Sequence, residues 1–562
     1  MFAASFAELF SIGMVIPFLG VLTTPEVIYA HKFVQPLAVF FNLNSPRDLL
    51  LPTTLVFVTA VILSAIVRFS LVWLQTRISM GIVTEMAVDT YWRTLHQPYA
   101  AHIARNSSEI ISSILTKVNG GIGATIGPLL LVVSSTLITA TILVALIMFD
   151  PVVALSSFLG FGTIYALIVF VTKKRLARDS LRISQSSNEV VKVLQEGLGG
   201  IRDVLLDGTQ QTYTTAYRNA EVRLRSAQAS IQIISTAPKF TIEALGIVVI
   251  AAIAYSLSTR PGGIVTVIPI LGALAIGAQK LLPVLQQAYS SWALIQGARE
   301  SLRDILDLLD QPLPESIGLP RRFSEISYQR EIRLENIAFQ YNPQSPYVLR
   351  NICLSLPKGG RIGFIGTTGS GKSTLLDILM GLLSPTTGSL VIDDAALTAA
   401  NQPAWQAHIA HVPQAIFLSD ATIAENIAFG LPRHEVDLDR VKSAARKAQI
   451  ADDIESWTGR YDTMVGERGV KLSGGQRQRI GIARALYKQA DVIIFDEATS
   501  ALDNETEQAV MQAIENLGNE VTVIMIAHRL TTLRNCTRIV ELDNGEIARV
   551  GTYADIIESR AS

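Results

Sequence analysis

The nine residues GTTGSGKST, Gly366 to Thr374, place glycines at 366, 369 and 371 ahead of a lysine and two hydroxyls. Glycine lets successive backbone N–H groups, here including those of Thr367, Thr368 and Ser370, turn toward one point. A helix start adds the positive end of its dipole, so the stretch reads as a phosphate cradle. The spacing G-x-x-x-x-G-K-[ST] lies between an apolar strand-like RIGFI and a helical TLLDILMGLL, the context this loop requires. In that setting Lys372 supplies a point charge to the β- and γ-phosphates, and the Ser373 hydroxyl is a magnesium ligand.

A second group follows some 120 residues later in VIIFDEATSALD. Four apolar residues predict a buried strand, with Asp496 emerging at its C-terminal end, where open parallel sheets bind ligands. Asp496 is a candidate to hold magnesium, directly or through water. Glu497 is a candidate to orient and polarise an attacking water. His528 ends another apolar run, VTVIMIA, within expected reach of a γ-phosphate, although a structural histidine would look the same. Gln414, in HVPQAIFL, offers an amide to magnesium and to a neighbouring surface. Tyr341, in IAFQYNP, is an aromatic 25 positions before the cradle that can stack on adenine or simply fill a turn.

A further stretch, KLSGGQRQR at Lys471 to Arg479, is itself a serine- and glycine-rich turn opening into a helix, a second anion cradle in one chain. One nucleotide does not need two, which leaves open what the second cradle serves.

These motifs need a scaffold. The 562 residues exceed a single domain, and 49 % apolar residues with a mean hydropathy of +0.36 are unevenly spread. Apolar runs near 2–22, 51–75, 126–149, 152–172, 240–258 and 263–288 are each long enough to cross a bilayer, predicting roughly six spans. The links at 149–151 and 258–263 are tight. Those at 76–125 and 173–239 carry helical periodicity and charge and are expected to continue as helices into water. Basic flanks (Arg77, Lys173, Lys174, Arg175, Lys239) put these extensions on the cytoplasmic side. Residues 23–50 are then external, with an amphipathic surface helix expected there. The chain opens almost within its first span, and the expectation is a start cut short or a leader missing before it; no basic n-region marks a signal peptide.

Residues 311–330, rich in proline and charge, predict a linker between a membrane domain (1–310) and a soluble one (331–562). In the latter, apolar β-type runs alternate with helical ones, the pattern of a parallel-sheet α/β fold. The two cysteines, Cys353 and Cys536, are expected to be buried and reduced. A formal net charge of −1 argues against nucleic acid as a partner.

Taken together, Tyr341, GTTGSGKST, Gln414, LSGGQ, DEATSALD and His528 resemble the ATP-binding-cassette family over about 330–562, and VGERGVKLSGGQ adds the segment typical of its exporters. With six spans fused N-terminally, the chain looks like an exporter half-transporter: a helical transmembrane domain joined to an α/β P-loop ATPase. The resemblance implies ATP and Mg2+ as ligands, Glu497 as the catalytic carboxylate, and Asp503 in a loop that communicates between subunits. It also implies head-to-tail pairing of two cassettes. Ser473, Gly474, Gly475 and Gln476 of one would then cap the ATP held by the other, in a symmetric homodimer or with a related half-transporter. QPYAAHIARNSS (97–108) and EGLGGIRDVLLDG (196–208) look like the two coupling segments of exporters.

The membrane half more weakly resembles lipid-linked oligosaccharide flippases, through ELFSIGMVIPFLGVL, AIVRFSLVWLQ and GAQKLLPVLQQAY. Arg68 and Lys280 are therefore candidates to line a cavity for a polyprenyl-pyrophosphate-linked glycan, with snorkelling to the interface as the alternative. Glu8 is the third charge within a span. Export of peptide, lipid or drug stays open. So does a nucleotide-gated channel or sensor, which the intact Glu497 weighs against. A DNA-repair cassette would carry a coiled coil or zinc site that this sequence lacks, and importers commonly separate the two parts. The expected setting is a bacterial inner membrane with the ATPase in the cytoplasm.

Overall fold

The structure is a computed structural model describing residues 1–23, 25–30, 34–35, 45–149, 151–258, 263–314, 326–497, 502–515, 520–526 and 530–556. It divides into two units, Met1–His96 with Arg105–Pro312 and Gln97–Ala104 with Leu313–Ser562. The reading from sequence made one cut near residue 310; the eight residues 97–104 group instead with the second unit. The expected linker lies largely outside the described residues.

The first unit is helical. Each apolar run lies in its own helix: α1 (Phe2–Thr23), α3 (Leu50–Leu95), α6 (Ala124–Phe149), α7 (Pro151–Gly199), α10 (Pro238–Ser258) and α11 (Gly263–Leu309). A short α2 (Pro25–Tyr29) follows α1, while residues 36–44, where a surface helix was expected, lie outside the described residues. At ~1.5 Å per residue the 46 residues of α3 extend about 69 Å, more than twice a ~30 Å hydrocarbon core. Such a helix continues into water, as its charged second half requires. Along α3 the large apolar side chains Leu55, Ile62, Phe69 and Trp73 are exposed while Ser64, Gln75, Ser79 and Thr90 are buried. That inversion suits a lipid solvent, where helices associate through small and polar residues; the Gln75 amide donates to Ser134 Oγ at 2.6 Å.

Three more α-helices lie in the unit among the described residues: α5 (Ser107–Ser112), which runs through a π-helical stretch (Ser113–Gly123) into α6, then α8 (Ile201–Leu206) and α9 (Gln210–Thr236). Near the π stretch, buried Lys117 donates to Asp304 at 2.6 Å, and Ser184 Oγ donates to the same carboxylate. Arg68 departs from its expected role. It is ion-paired with Glu8, whose side chain is 2 % exposed, so the two charges cancel instead of leaving a free cation toward a cavity. The side chain of Lys280 lies outside the described residues.

The second unit opens with α4 (Tyr99–Ile103) and continues with two sheets. One is antiparallel, built from β1 (Glu331–Phe339), β2 (Leu349–Pro357), β4 (Thr387–Ile392) and β5 (Ala395–Ala396) in the order β2-β1-β4-β5. The other contains β3 (Arg361–Gly366), β6 (Ile409–Val412), β7 (Val492–Asp496), β8 (Thr522–Ile526), β9 (Arg538–Asp543) and β10 (Glu546–Gly551) in the order β10-β9-β3-β8-β7-β6. It is parallel except at β10. Val492, Ile493, Ile494 and Phe495 are all buried, as an unbroken apolar run in a parallel sheet predicts. Cys536 is buried, and burial pushes its thiol up to about 12. Cys353 differs from expectation: it is exposed and donates to Asn336 Oδ1 at 3.0 Å.

Candidate functional site

β3 ends at Gly366 and α12 (Lys372–Leu379) begins six residues later, followed along the chain by α13 (Gln402–Ala407), α14 (Ile423–Ile427), α15 (Leu438–Lys447) and α16 (Ala451–Ser456). Gly366 has φ +150°, and a Cβ there would sit 2.2 Å from the Leu542 carbonyl of β9, so only glycine lets the loop leave the sheet at this point. Lys372 Nζ donates to the carbonyls of Gly366 (2.9 Å) and Thr367 (2.8 Å), which holds the ammonium over the loop. Tyr341 stands beside this helix, its hydroxyl 3.1 Å from Thr374 Oγ1 and its ring edge-on to Phe339. At 46 % exposure the ring keeps a face for a base.

Parallel pairing of β3 with β8 and of β8 with β7 brings the end of β7 to the same sheet edge. Burial raises the Asp496 carboxyl above its ordinary range, Glu497 adds to the rise, and the Lys372 ammonium opposes it. Glu497 follows in the left-handed region at φ +53°, with its N–H on the Ile526 carbonyl at 3.0 Å. A non-glycine residue there stores ~1–3 kcal/mol of backbone strain, common at reactive positions. Gln414, just beyond β6, donates its amide Nε2 to Glu497 Oε2 at 2.6 Å.

Thr368, Gly369, Gly371, Lys372, Ser373 and Thr374 therefore line one cleft of about 380 Å³ with Gln414 and Glu497. Ser373 Oγ, the Asp496 carboxylate and the Gln414 carbonyl are hard oxygen donors, the kind a magnesium ion shared with phosphate takes. His528 lies outside the described residues, as do Ala498–Ala501 of the DEATSALD stretch. Asp503 is exposed and caps α18 (Asn504–Glu515), accepting from Thr506 N at 2.9 Å and from Thr506 Oγ1 at 2.8 Å. Those bonds hold its carboxyl below the usual range.

Ser473 is the N-cap of α17 (Gly474–Lys488) in a reciprocal capping box. Its Oγ accepts from Gln476 N at 3.2 Å while Gln476 Oε1 accepts from Ser473 N at 2.9 Å. None of Leu472–Gln476 lines the cleft of its own chain. The second cradle is thus built outside the cleft that the phosphate loop of its own chain lines among the described residues. Gly481, two turns along α17, meets Ile416 so closely that a Cβ would lie 2.5 Å from its Cδ1, which packs the helix against the segment carrying Gln414.

Two residues carry weight that their type and spacing did not signal. Asp377, on α12, has its carboxyl raised to about 6 by burial and by Asp496. Tyr99, in α4, has its hydroxyl raised by burial and by the proximity of Asp377 and Tyr341. Sequence patterning marked 97–108 as a turn but gave no signal that Tyr99 stands beside the cradle helix.

Residues 349–500 match the family described as ABC transporter, and residues 15–267 match the ABC transporter transmembrane region. Among curated relatives, the ATP-dependent lipid A-core flippase of Chromohalobacter salexigens is 34 % identical over 404 residues, 71 % of this chain and 68 % of that protein. The protein of the same name from Shewanella denitrificans is 28 % identical over 554 residues, 98 % of this chain and 91 % of its own. A solved structure of a bacterial Atm1-family ABC exporter with ATP bound superposes with a TM-score of 0.78 at 23 % identity, covering 98 % of this chain and 96 % of that one.

Proposed function

The chain belongs to the ABC transporter family, as an exporter half-transporter with membrane region and ATPase in one polypeptide, and we propose that two copies of it flip a saccharide-bearing amphipathic lipid across a bacterial inner membrane. The observation that carries the two-copy reading is the absence of Leu472–Gln476 from the cleft formed by the cradle of the same chain. Ser473 and Gly475 then close on the γ-phosphate of ATP held by a second chain, and an isologous homodimer yields two equivalent sites.

In each site Tyr341 stacks on adenine, the loop N–H groups of 366–374 bind the phosphates, and Lys372 moves its ammonium from the loop carbonyls to the β/γ-phosphates. Mg2+ bound at Ser373, Gln414 and Asp496 would neutralise phosphate charge. Glu497, held by Gln414, orients the attacking water, and His528 contacts the γ-phosphate. Because ATP favours the closed pair, binding shifts the population toward closure and hydrolysis releases it.

For the cargo, relatives named lipid A-core flippases support a glycolipid over a peptide. A polyprenyl-pyrophosphate-linked glycan remains the finer candidate, sharing with lipid A an anionic phosphorylated head and a long apolar anchor. The test is ATPase stimulation and lipid translocation in proteoliposomes doped separately with lipid A, a polyprenyl-pyrophosphate glycan or an apolar peptide. Stimulation by either glycolipid, with directional movement lost in Glu497→Gln, is expected. Stimulation by peptide alone would overturn the reading, and movement that persists in Glu497→Gln would make the protein a gated channel.

A further inference from the structure

An open cavity that gathers several polar groups within a mainly apolar lining lies among four helices. Tyr165 of α7, Ser235 and Thr236 at the end of α9, Lys239 at the start of α10, and Gln286 and Ser290 of α11 line its volume of about 290 Å³. Tyr165 is only 9 % exposed, and its hydroxyl has no hydrogen-bond partner among the described residues. A buried hydroxyl left unmatched is destabilising and calls for an explanation. Its neighbour is different: the Tyr289 hydroxyl, from the same cavity wall, donates to the Ile234 carbonyl at 3.1 Å. Lys239 forms no ion pair among the described residues, although the carboxylate of Glu243 follows one turn later. The cavity therefore holds an uncommitted cation, an uncommitted hydroxyl and a set of amide and hydroxyl groups.

Its floor is of the opposite character. Tyr165, Ile242 and Tyr289 form a buried cluster, with Leu282, Leu285 and Trp292 packed against it, and the exposed ring of Phe240 stands next to Lys239. The volume holds roughly ten water-sized groups at ~30 Å³ each. That is room for a phosphate with adjoining sugar hydroxyls and far too little for a whole glycolipid. Lys239 lies at the basic, cytoplasmic flank of its span, the depth at which a head group of the inner leaflet sits.

We infer that this cavity is a binding site for the phosphorylated saccharide head of a membrane lipid, with Lys239 taking the phosphate and the Tyr165 hydroxyl a phosphate or sugar oxygen, while the apolar anchor stays in the bilayer alongside Phe240. The inference rests on the glycolipid reading of the cargo and names where on the chain such a lipid is first held. The charge supplies selectivity for phosphate, and the partnerless hydroxyl supplies a hydrogen bond that the protein does not make for itself.

The test uses the full chain in phosphatidylcholine nanodiscs doped with lipid A, with a neutral glucosyl diacylglycerol as the uncharged comparison, and reads bound lipid by native mass spectrometry. Wild-type protein is expected to retain lipid A over the neutral glycolipid. Lys239→Ala should weaken lipid A binding about tenfold, the loss of one charge-assisted contact. Lys239→Arg should bind within about twofold of wild type, and Tyr165→Phe, which removes a single oxygen, should weaken binding about threefold to tenfold. Millimolar inorganic pyrophosphate in solution should not compete. Equal binding of lipid A by wild type, Lys239→Ala and Tyr165→Phe overturns the site, as does equal binding of the neutral glycolipid. Full competition by pyrophosphate assigns the cavity to a soluble anion and overturns the lipid. Stimulated ATPase with unaltered binding in the variants would sink the site and spare the flippase; altered binding without stimulation would do the reverse.

Discussion

Gln414 Nε2 donates to Glu497 Oε2 across 2.6 Å, tying the segment after β6 to the carboxylate at the end of β7. In the proposed mechanism this carboxylate orients water, and the amide beside it directs it without neutralising its charge. Glu497→Gln is expected to lower ATP turnover by about 10²–10⁴-fold while leaving nucleotide affinity within a few-fold. Gln414→Ala, which removes this amide from the carboxylate, should cost turnover about tenfold. Steady-state phosphate release beside fluorescent-nucleotide titration separates the two effects.

Since Ser473 is absent from its own chain's cleft, the two half-sites can be tested by mixing chains. Lys372→Ala disables the cradle and Ser473→Glu disables the cap. A dimer with one change on each chain keeps one intact pair, the wild-type cradle of the second chain facing the wild-type cap of the first. One vanadate-trapped nucleotide per mixed dimer is expected, and none in either parent homodimer. Trapping absent from the mixed dimer would mean that each chain closes its own site.

Asp377 carries a pH dependence. Its folded carboxyl is raised to about 6 by burial and by Asp496, above the ordinary value of 3.8. The folded state therefore holds this proton more tightly than the unfolded chain. The associated stability is full below about pH 4 and is lost as pH rises through about 6. Asp377→Asn should match wild type at pH ~3.5 and exceed it at pH ~8 by ~1–2 kcal/mol, a figure reduced from the full shift because the carboxyl is only half-buried. Thermal unfolding across that range checks the sign.

Gly481 permits the close approach of α17 to Ile416. Gly481→Ala is expected to destabilise the ATPase unit by ~1–3 kcal/mol through overpacking. Adding Ile416→Ala should recover most of the loss, because the obstructing side chain is then gone. Lack of recovery in the double variant's unfolding midpoint would place the strain elsewhere.

Local signals were strongest where chemistry restricts residue choice. Backbone N–H groups must converge on phosphate, so Gly366, Gly371 and Lys372 announce themselves in order along nine residues. The apolar run before Asp496 announces a buried parallel strand. Spans announce themselves because about 20 apolar residues have few other uses. Their pairing did not follow from this. Arg68 read as a cavity cation until Glu8, 60 positions earlier, was found against it. Cys353 read as buried, yet its strand residue points outward.

What the amino-acid order determined by itself is therefore the short-range part: a phosphate loop, a carboxylate pair at a strand end, a capped second cradle, and helices suited to lipid. Only the tertiary structure decided which distant groups meet. Strand order brings Glu497 to Gln414, α4 brings Tyr99 to the cradle helix, and four helices bring Tyr165 and Lys239 to one cavity. The reason is physical. Conformation along a strand or helix is set by neighbours within a few residues, whereas burial and charge pairing depend on chain segments whose separation in sequence carries no information about their distance in space.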